Sequence, residues 1–207
     1  MIILASGGMD SLALVARLQA NSPEPNNSLL FFNYGQTTVL REQQSVKSWA
    51  KHYSMPMHTI DITNAVHIHP SHRKDPRMVI PHRNLVMLSV AASWSSTQPG
   101  RQQVIVHGAN NEDYRDYPDC REQFFESLNA TLSASVDTQL IRVEAPFLFL
   151  DKRQIIEKGL LYNAPFELSW SCYNSNTVAC QTCQSCTERA IAFDLLNKTD
   201  PLVESLL

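Results

Sequence analysis

Ile2-Ile3-Leu4-Ala5-Ser6-Gly7-Gly8-Met9-Asp10-Ser11, running on into Leu12-Ala13-Leu14-Val15-Ala16, is the stretch that decides the fold. Its apolar start makes a short strand, the paired glycines force a tight turn, and the run after Ser11 has helical composition. At a strand-to-helix junction of this kind, backbone N–H groups and the positive helix end converge on one point, which suits an anion. Adjacent glycines let the backbone approach a phosphate with no side chain in the way, and the Ser6 and Ser11 hydroxyls add donors. The loop therefore offers Ser6, Gly7, Gly8, Met9, Asp10 and Ser11 to a nucleotide, with Asp10 either capping the helix or holding magnesium. The plainer alternative is a tight turn whose serine and aspartate only cap a helix. No Gly-Lys-Ser/Thr follows, so this is not a Walker loop, and the third glycine of a dinucleotide fingerprint is absent.

Outward from the loop, strand and helix signals alternate. Asn21 to Ser28 reads as a turn, Leu29-Leu30-Phe31-Phe32 as a buried parallel strand, and Thr38 to His52 as an amphipathic helix. Met57 to Ile62 reads as a third strand, Thr63 to Pro81 as a loop over the site, and Arg83 to Ser95 as a helix apolar on most faces and so buried. Val104 to His107 predicts a fourth strand, Ala109 to Pro118 a loop, Asp119 to Ser133 a helix, and Leu140 to Val143 a fifth strand. Asp151 N-caps a helix over Lys152 to Leu161, and Thr187 to Leu196 forms the last helix. The alternation implies an α/β fold: a mostly parallel five-stranded sheet with helices on both faces and ligands beyond the carboxyl ends of the strands.

The 207 residues, 43% hydrophobic and 18% charged, suffice for one such domain and leave a second full domain cramped. A net charge of -3 offers no basic field for a phosphodiester backbone, so a small-molecule substrate is expected and stable nucleic-acid binding is not. No apolar run reaches the length of a membrane span, and Met1 to Ala5 lacks the basic flank of a signal peptide, so the expectation is a cytosolic protein. In a reducing compartment, Cys172, Cys180, Cys183 and Cys186 point to a metal. Two interlocked C-x-x-C steps with a further cysteine from a loop supply the four thiolates of closed, structural zinc; an iron–sulfur cluster is the alternative. Cys120, outside the cluster, reads as a small buried hydrophobe. His67, His69 and His72 read either as a second metal site or as a plain histidine-rich loop, and Trp94 and Trp170 as core residues.

Ser6-Gly7-Gly8-Met9-Asp10-Ser11 resembles the SGGxDS signature of PP-loop ATP pyrophosphatases, of the adenine nucleotide alpha hydrolase-like fold. Together with the cysteine cluster, it makes the chain similar to the 7-cyano-7-deazaguanine synthase family from Ile3 to about Phe193. Asn33-Tyr34-Gly35-Gln36, Ile80-Pro81-His82-Arg83-Asn84, Gly108 to Asp113, Tyr117-Pro118-Asp119-Cys120-Arg121, Pro146 with Asp151-Lys152, and Ser171-Cys172-Tyr173-Asn174 each resemble a segment of that family. His82 stands where many members have glycine, Gln181 replaces a frequent glycine in the knuckle, and Asn110-Asn111-Glu112 differs from the commoner C-E-T.

The resemblance implies an ATP-dependent carbon–nitrogen ligase that converts 7-carboxy-7-deazaguanine and ammonia to the nitrile, through adenylated acid and amide, in queuosine-type biosynthesis. It implies ATP as co-substrate with magnesium, structural zinc and a homodimer. Asp10, Lys152 and Arg83 then become candidate catalytic residues, and Tyr34 and Gln36 join the nucleotide loop. Arg83, Asn84, Asp113, Tyr117 and Asp119 become candidates for the deazaguanine. Residues 1–165 would form the ATP-pyrophosphatase domain and 166–207 a helical zinc-binding segment packed on it. Two alternatives stand beside this reading: a variant that stops at the amide or uses another nucleophile, and a zinc-knuckle RNA-binding module with a vestigial loop.

Overall fold

A computed structural model of the chain describes residues 1–21, 26–66, 80–98, 104–137 and 141–204. Its strands are β1 (Ile2–Leu4), β2 (Ser28–Asn33), β3 (Met57–Asp61), β4 (Val104–Val106) and β5 (Arg142–Glu144). They form one sheet in the order β3-β2-β1-β4-β5, and every neighbouring pair is parallel. The helices are α1 (Met9–Asn21), α2 (Val39–His52), α3 (Arg83–Ser96), α4 (Asn111–Asp116), α5 (Glu122–Ala134), α6 (Lys152–Leu161), α7 (Gln184–Asp194) and α8 (Pro201–Glu204).

The pleat sorts the strand residues between two cores. Ile3, Leu29, Phe31 and Val106 pack with α1, α2, α6 and α7 around Leu12, Val15, Trp49, Ile155 and Phe193. Ile2, Leu4, Leu30, Phe32, Ile105 and Val143 face α3 and α5 around Leu88, Ala91, Phe125 and Leu128. Strands buried on both faces explain why β1 and β2 read as continuous apolar runs rather than as alternating ones. The chain winds from β1 out to β3, then crosses back to place β4 on the other side of β1, so the topological switch point lies between β1 and β4.

Three elements differ from the sequence reading. Residues 109–118, expected to be a loop, contain α4, because the Asn110 side chain accepts the Glu112 and Asp113 N–H groups while Asp113 accepts the Asn110 N–H. That capping box was legible as N-x-x-D, but the segment has too little apolar periodicity to announce a helix. Pro118–Cys120 forms a 3-10 turn, so α5 starts after Asp119, at Glu122. Helix α3 buries one face only, with Asn84, Leu88, Ala91, Ala92 and Ser95 inward and Leu85 40% exposed. Trp170 is buried as expected, whereas Trp94 lies partly buried at the edge of its core, with its ring tilted against that of His58. His67, His69, His72 and Leu140 lie outside the described residues.

The last helices hold on through a buried charge. Arg189, 2% exposed, donates to both Asp200 carboxylate oxygens, to the Ser169 and Ser171 hydroxyls and to the Phe166 carbonyl. Such a guanidinium is tolerated only because its donors are met. Among the described residues, no helix is long and apolar enough to cross a membrane.

Candidate active site at the β1–β4 switch point

A cavity of about 250 Å3 opens at the carboxyl ends of β1, β2 and β4. Ser6, Gly8, Met9, Asp10 and Ser11 line it from the first loop, Tyr34, Gln36 and Glu42 from the β2–α2 side, and His107, Gly108 and Ala109 from the end of β4. Arg83, Asn84, Asp113, Tyr117 and Lys152 complete the wall together with Trp170, Tyr173 and Ser185. Of the residues named from sequence, Gly7 and Asp119 do not line it.

Gly7 shapes the loop instead. Its φ is +88°, and a Cβ there would meet the Cα and carbonyl oxygen of Glu42 at 2.8 Å. The Gly7 carbonyl accepts the Trp170 N–H at 2.8 Å. The first intrahelical bond of α1 runs from Leu12 N–H to Gly8 C=O at 3.1 Å, so the Met9, Asp10 and Ser11 amides precede it and point out of the helix start. Ser6 Oγ and Ser11 Oγ lie 2.9 Å apart at the same place. Gly7→Ala combines left-handed strain with a backbone clash, and we expect a loss of about 2–5 kcal/mol in urea unfolding. Gly8→Ala, whose Cβ would meet nothing nearer than the Ser6 Oγ at 3.4 Å, should stay within about 1 kcal/mol in the same assay.

Asp10, Lys152 and Asp113 come together although 142 residues separate the first two. Lys152 Nζ donates to Asp10 Oδ2 at 3.0 Å and lies 3.8 Å from Glu188 Oε2, and Asn110 Nδ2 also donates to Asp10 Oδ2 at 3.3 Å. Burial alone would lower the lysine, but Asp10 and Asp113 outweigh it and hold the ammonium above its ordinary value. Asp10 Oδ1 is buried with no hydrogen-bond partner among the described residues. An orphaned carboxylate oxygen on a residue that lines the cavity fits a hard divalent cation.

Burial pushes the Asp113 carboxyl up from 3.8 to about 6, against the pull of Lys152. A carboxyl raised in the folded state binds more protons there than in the unfolded chain, so its stabilising contribution is lost as pH rises from about 4 through 6. Asp113→Asn keeps an oxygen for the Asn110 N–H and removes that penalty. It should raise stability at pH 7.5 by about 1–3 kcal/mol, discounted for the open cavity, with no gain at pH 3.5. Chemical unfolding at the two pH values measures the difference.

Arg83 lies against Tyr34, its Cζ 5.4 Å from the ring centroid, and both face the cavity. Gln36 has its polar atoms engaged within the turn: Oε1 accepts Tyr34 N–H, and Nε2 donates to Phe32 C=O and Glu42 Oε2. Asn84 is likewise engaged, donating to the Cys120 Sγ and accepting from Arg83 Nε. Asp119 Oδ2 accepts the Asn84 N–H at 3.2 Å, where it compensates the start of α3. Tyr117 stands on the wall, and burial beside Asp113 pushes its phenol up to about 12. Cys120 is 3% exposed and burial pushes its thiol far up, as an unreactive buried hydrophobe requires. Glu42, His107, Trp170 and Ser185 were not legible as site residues: single side chains from four separate segments leave no spacing pattern. Tyr173 had the one available signal, its place beside Cys172.

The four cysteines do converge. Their Sγ atoms lie within 4.8 Å of one another, close to the edge of about 3.8 Å that a tetrahedron with 2.3 Å bonds requires. Asn174 and Cys180 N–H groups point at the Cys172 sulfur, and Cys183 N–H at the Cys180 sulfur. Hydrogen bonds from Thr182 hold the Cys180 thiol down at about 6. An all-thiolate set can hold a metal ion and leaves no position for substrate. The cluster is also a neighbour of the nucleotide loop: Trp170 grips Gly7, Arg41 stacks on the Trp170 ring at 4.7 Å, and Tyr173 and Ser185 form cavity wall beside three of the cysteines.

With this geometry in view, the comparisons with known proteins converge. The family model described as "Queuosine biosynthesis protein QueC" matches residues 1–197. The chain belongs to that family. A 7-cyano-7-deazaguanine synthase from Chlorobium phaeovibrioides is 34% identical over 97% of this chain and 94% of the relative. Its counterpart from Chlorobium luteolum is 35% identical over 97% and 94%. Among solved structures, the tRNA thiolase NcsA from Methanococcus maripaludis aligns with a TM-score of 0.52 at 13% identity, over 95% of this chain and 64% of that one. A likeness at that identity concerns the fold, which is the parallel α/β architecture expected from the sequence.

Proposed function

We propose that this QueC-family chain is a 7-cyano-7-deazaguanine synthase: an ATP-dependent ligase working in the cytoplasm, probing a small acid substrate rather than a nucleic acid. The observation that carries the reading is the convergence of the α1 amides, the Asp10–Lys152 pair and the Arg83–Asp113 wall on one cavity at the switch point.

A carboxylate is too poor an electrophile for ammonia until one oxygen becomes a leaving group. Transfer of AMP from ATP to that oxygen supplies it, ammonia displaces AMP to leave the amide, and a second adenylation of the amide oxygen lets the nitrile form as AMP departs. Each adenylation releases pyrophosphate, so the same loop serves twice. The Met9, Asp10 and Ser11 amides with the Ser6 and Ser11 hydroxyls meet the growing pyrophosphate charge, and Lys152 adds a fixed cation. Asp10, through its unpartnered oxygen, would hold magnesium, which would supply Lewis-acid neutralisation of the phosphate charge. Tyr34 flanks the nucleotide, with Gln36 and Glu42 bracing the turn that carries it. Arg83 faces the substrate carboxylate, and Asp113 and Tyr117 face its purine-like ring. Asn84 and Asp119 hold Arg83's helix in place.

Zinc is the ion that best fits four thiolates in a cytoplasmic enzyme, and residues 166–207 act as a zinc-binding segment packed on the domain of residues 1–165. The family resemblance carries a homodimer with it, which light scattering tests. The function itself is tested by incubating the protein with ATP, magnesium, ammonia and 7-carboxy-7-deazaguanine. Mass spectrometry should find the nitrile; accumulation of the amide alone would replace this reading with the shorter reaction.

A further inference from the structure

His107 follows β4 directly, one residue beyond Val106, which pairs with Ile3, so it stands at the mouth of the β1–β4 crevice. It is half-buried and lines the cavity, with its ring 5.8 Å from that of Phe125. The Ala109 N–H donates to His107 Nδ1 at 3.1 Å. A backbone N–H can only donate, so Nδ1 is the unprotonated nitrogen and a neutral ring carries its proton on Nε2. Burial, with Arg83 nearby, holds the imidazole down at about 4, which keeps it neutral at working pH. No acceptor for Nε2 is found among the described residues.

The next amide in the chain is held in the same way by a carboxylate: Asn110 N–H donates to Asp113 Oδ2 at 3.2 Å. Consecutive amides thus anchor His107 and Asp113 beside each other on one wall. The result is a neutral donor next to a carboxylate acceptor. A guanine-like edge presents the matching pattern, a ring carbonyl oxygen that accepts beside ring and exocyclic N–H groups that donate.

We propose that His107 is a specificity residue whose Nε2–H reads the ring carbonyl of the deazaguanine, while Asp113 accepts from the neighbouring N–H groups. This rests on the function proposed above and names which atom of that substrate each side chain recognises. The role is recognition and includes no proton transfer.

The test compares KM values for 7-carboxy-7-deazaguanine and for its 2,6-diamino counterpart, in which an amino group replaces the ring carbonyl. For His107→Leu, KM for the natural ring should rise about tenfold, the diamino analogue and ATP should move less than about twofold, and His107→Gln, which restores an N–H, should recover most of the loss. Equal shifts for both rings, or no shift, would show that His107 only packs against Phe125 and would overturn the proposal. If the wild-type protein releases no AMP with either ring, it is the proposed function that fails. Should His107→Leu lose its melting transition, His107→Phe keeps a ring against Phe125 and gives the same comparison.

Discussion

With Lys152 replaced by methionine, AMP formation is expected to fall by about 100- to 1,000-fold in kcat, the magnitude typical of removing one preorganised group that meets developing charge. Lys152 reaches the first loop, where it is bonded to Asp10 Oδ2 at 3.0 Å. It is partly buried, where its charge acts through little intervening water. The substitution also leaves Asp10 and Asp113 facing each other without their shared partner. Because Lys152 is what holds Asp113 down, the Asp113 carboxyl should titrate above its present value of about 6, and residual activity should shift toward alkaline pH. Single-turnover AMP release with a parallel melting curve measures both effects. A variant that melts normally and retains activity within tenfold would remove Lys152 from the chemistry.

The second large effect concerns the metal. With zinc proposed for the four thiolates, Cys183→Ser should abolish stoichiometric metal by elemental analysis and lower Tm by more than about 10 °C, since the free energy of binding a structural ion is part of the free energy of folding. The consequence should reach the nucleotide site. Cys172 lies two residues from Trp170, whose N–H holds the Gly7 carbonyl, and Ser185 lies between Cys183 and Cys186 on the cavity wall. Loss of metal should therefore weaken ATP binding in the cold, well below the melting transition of the sheet, as calorimetry would show. Unchanged ATP affinity in the zinc-depleted variant would mean that the cysteine segment stabilises only itself.

How much of this was legible in the sequence depended on how local each feature is. The first loop, the Asp151 cap and the C-x-x-C steps are contiguous, and each carries its physical reason within a few residues: a positive φ at Gly7, an N3 amide to satisfy, two thiolates on one turn. All five strands were found, β1, β2 and β4 because strands buried in a parallel sheet read as apolar runs, whereas β3 and β5 carry polar and charged residues at the sheet edges. What stayed hidden was non-local. The Trp170–Gly7 bond, the buried Arg189–Asp200 pair and the His107–Asp113 wall join residues whose separate contexts are unremarkable. Asp119 shows the complement: a motif carried over by resemblance suggested a substrate contact, whereas its carboxylate receives the Asn84 N–H. Helix α4 was missed because a capping box of polar residues lacks the apolar stripe on which the reading relied.

The amides at the start of α1 are proposed to hold the leaving pyrophosphate of ATP. Phosphorus NMR of a reaction containing the protein, ATP, magnesium, ammonia and 7-carboxy-7-deazaguanine tests it directly. AMP and pyrophosphate should form in equal amounts, dependent on the acid substrate. ADP with inorganic phosphate, or ATP left intact while the acid is bound, would contradict it.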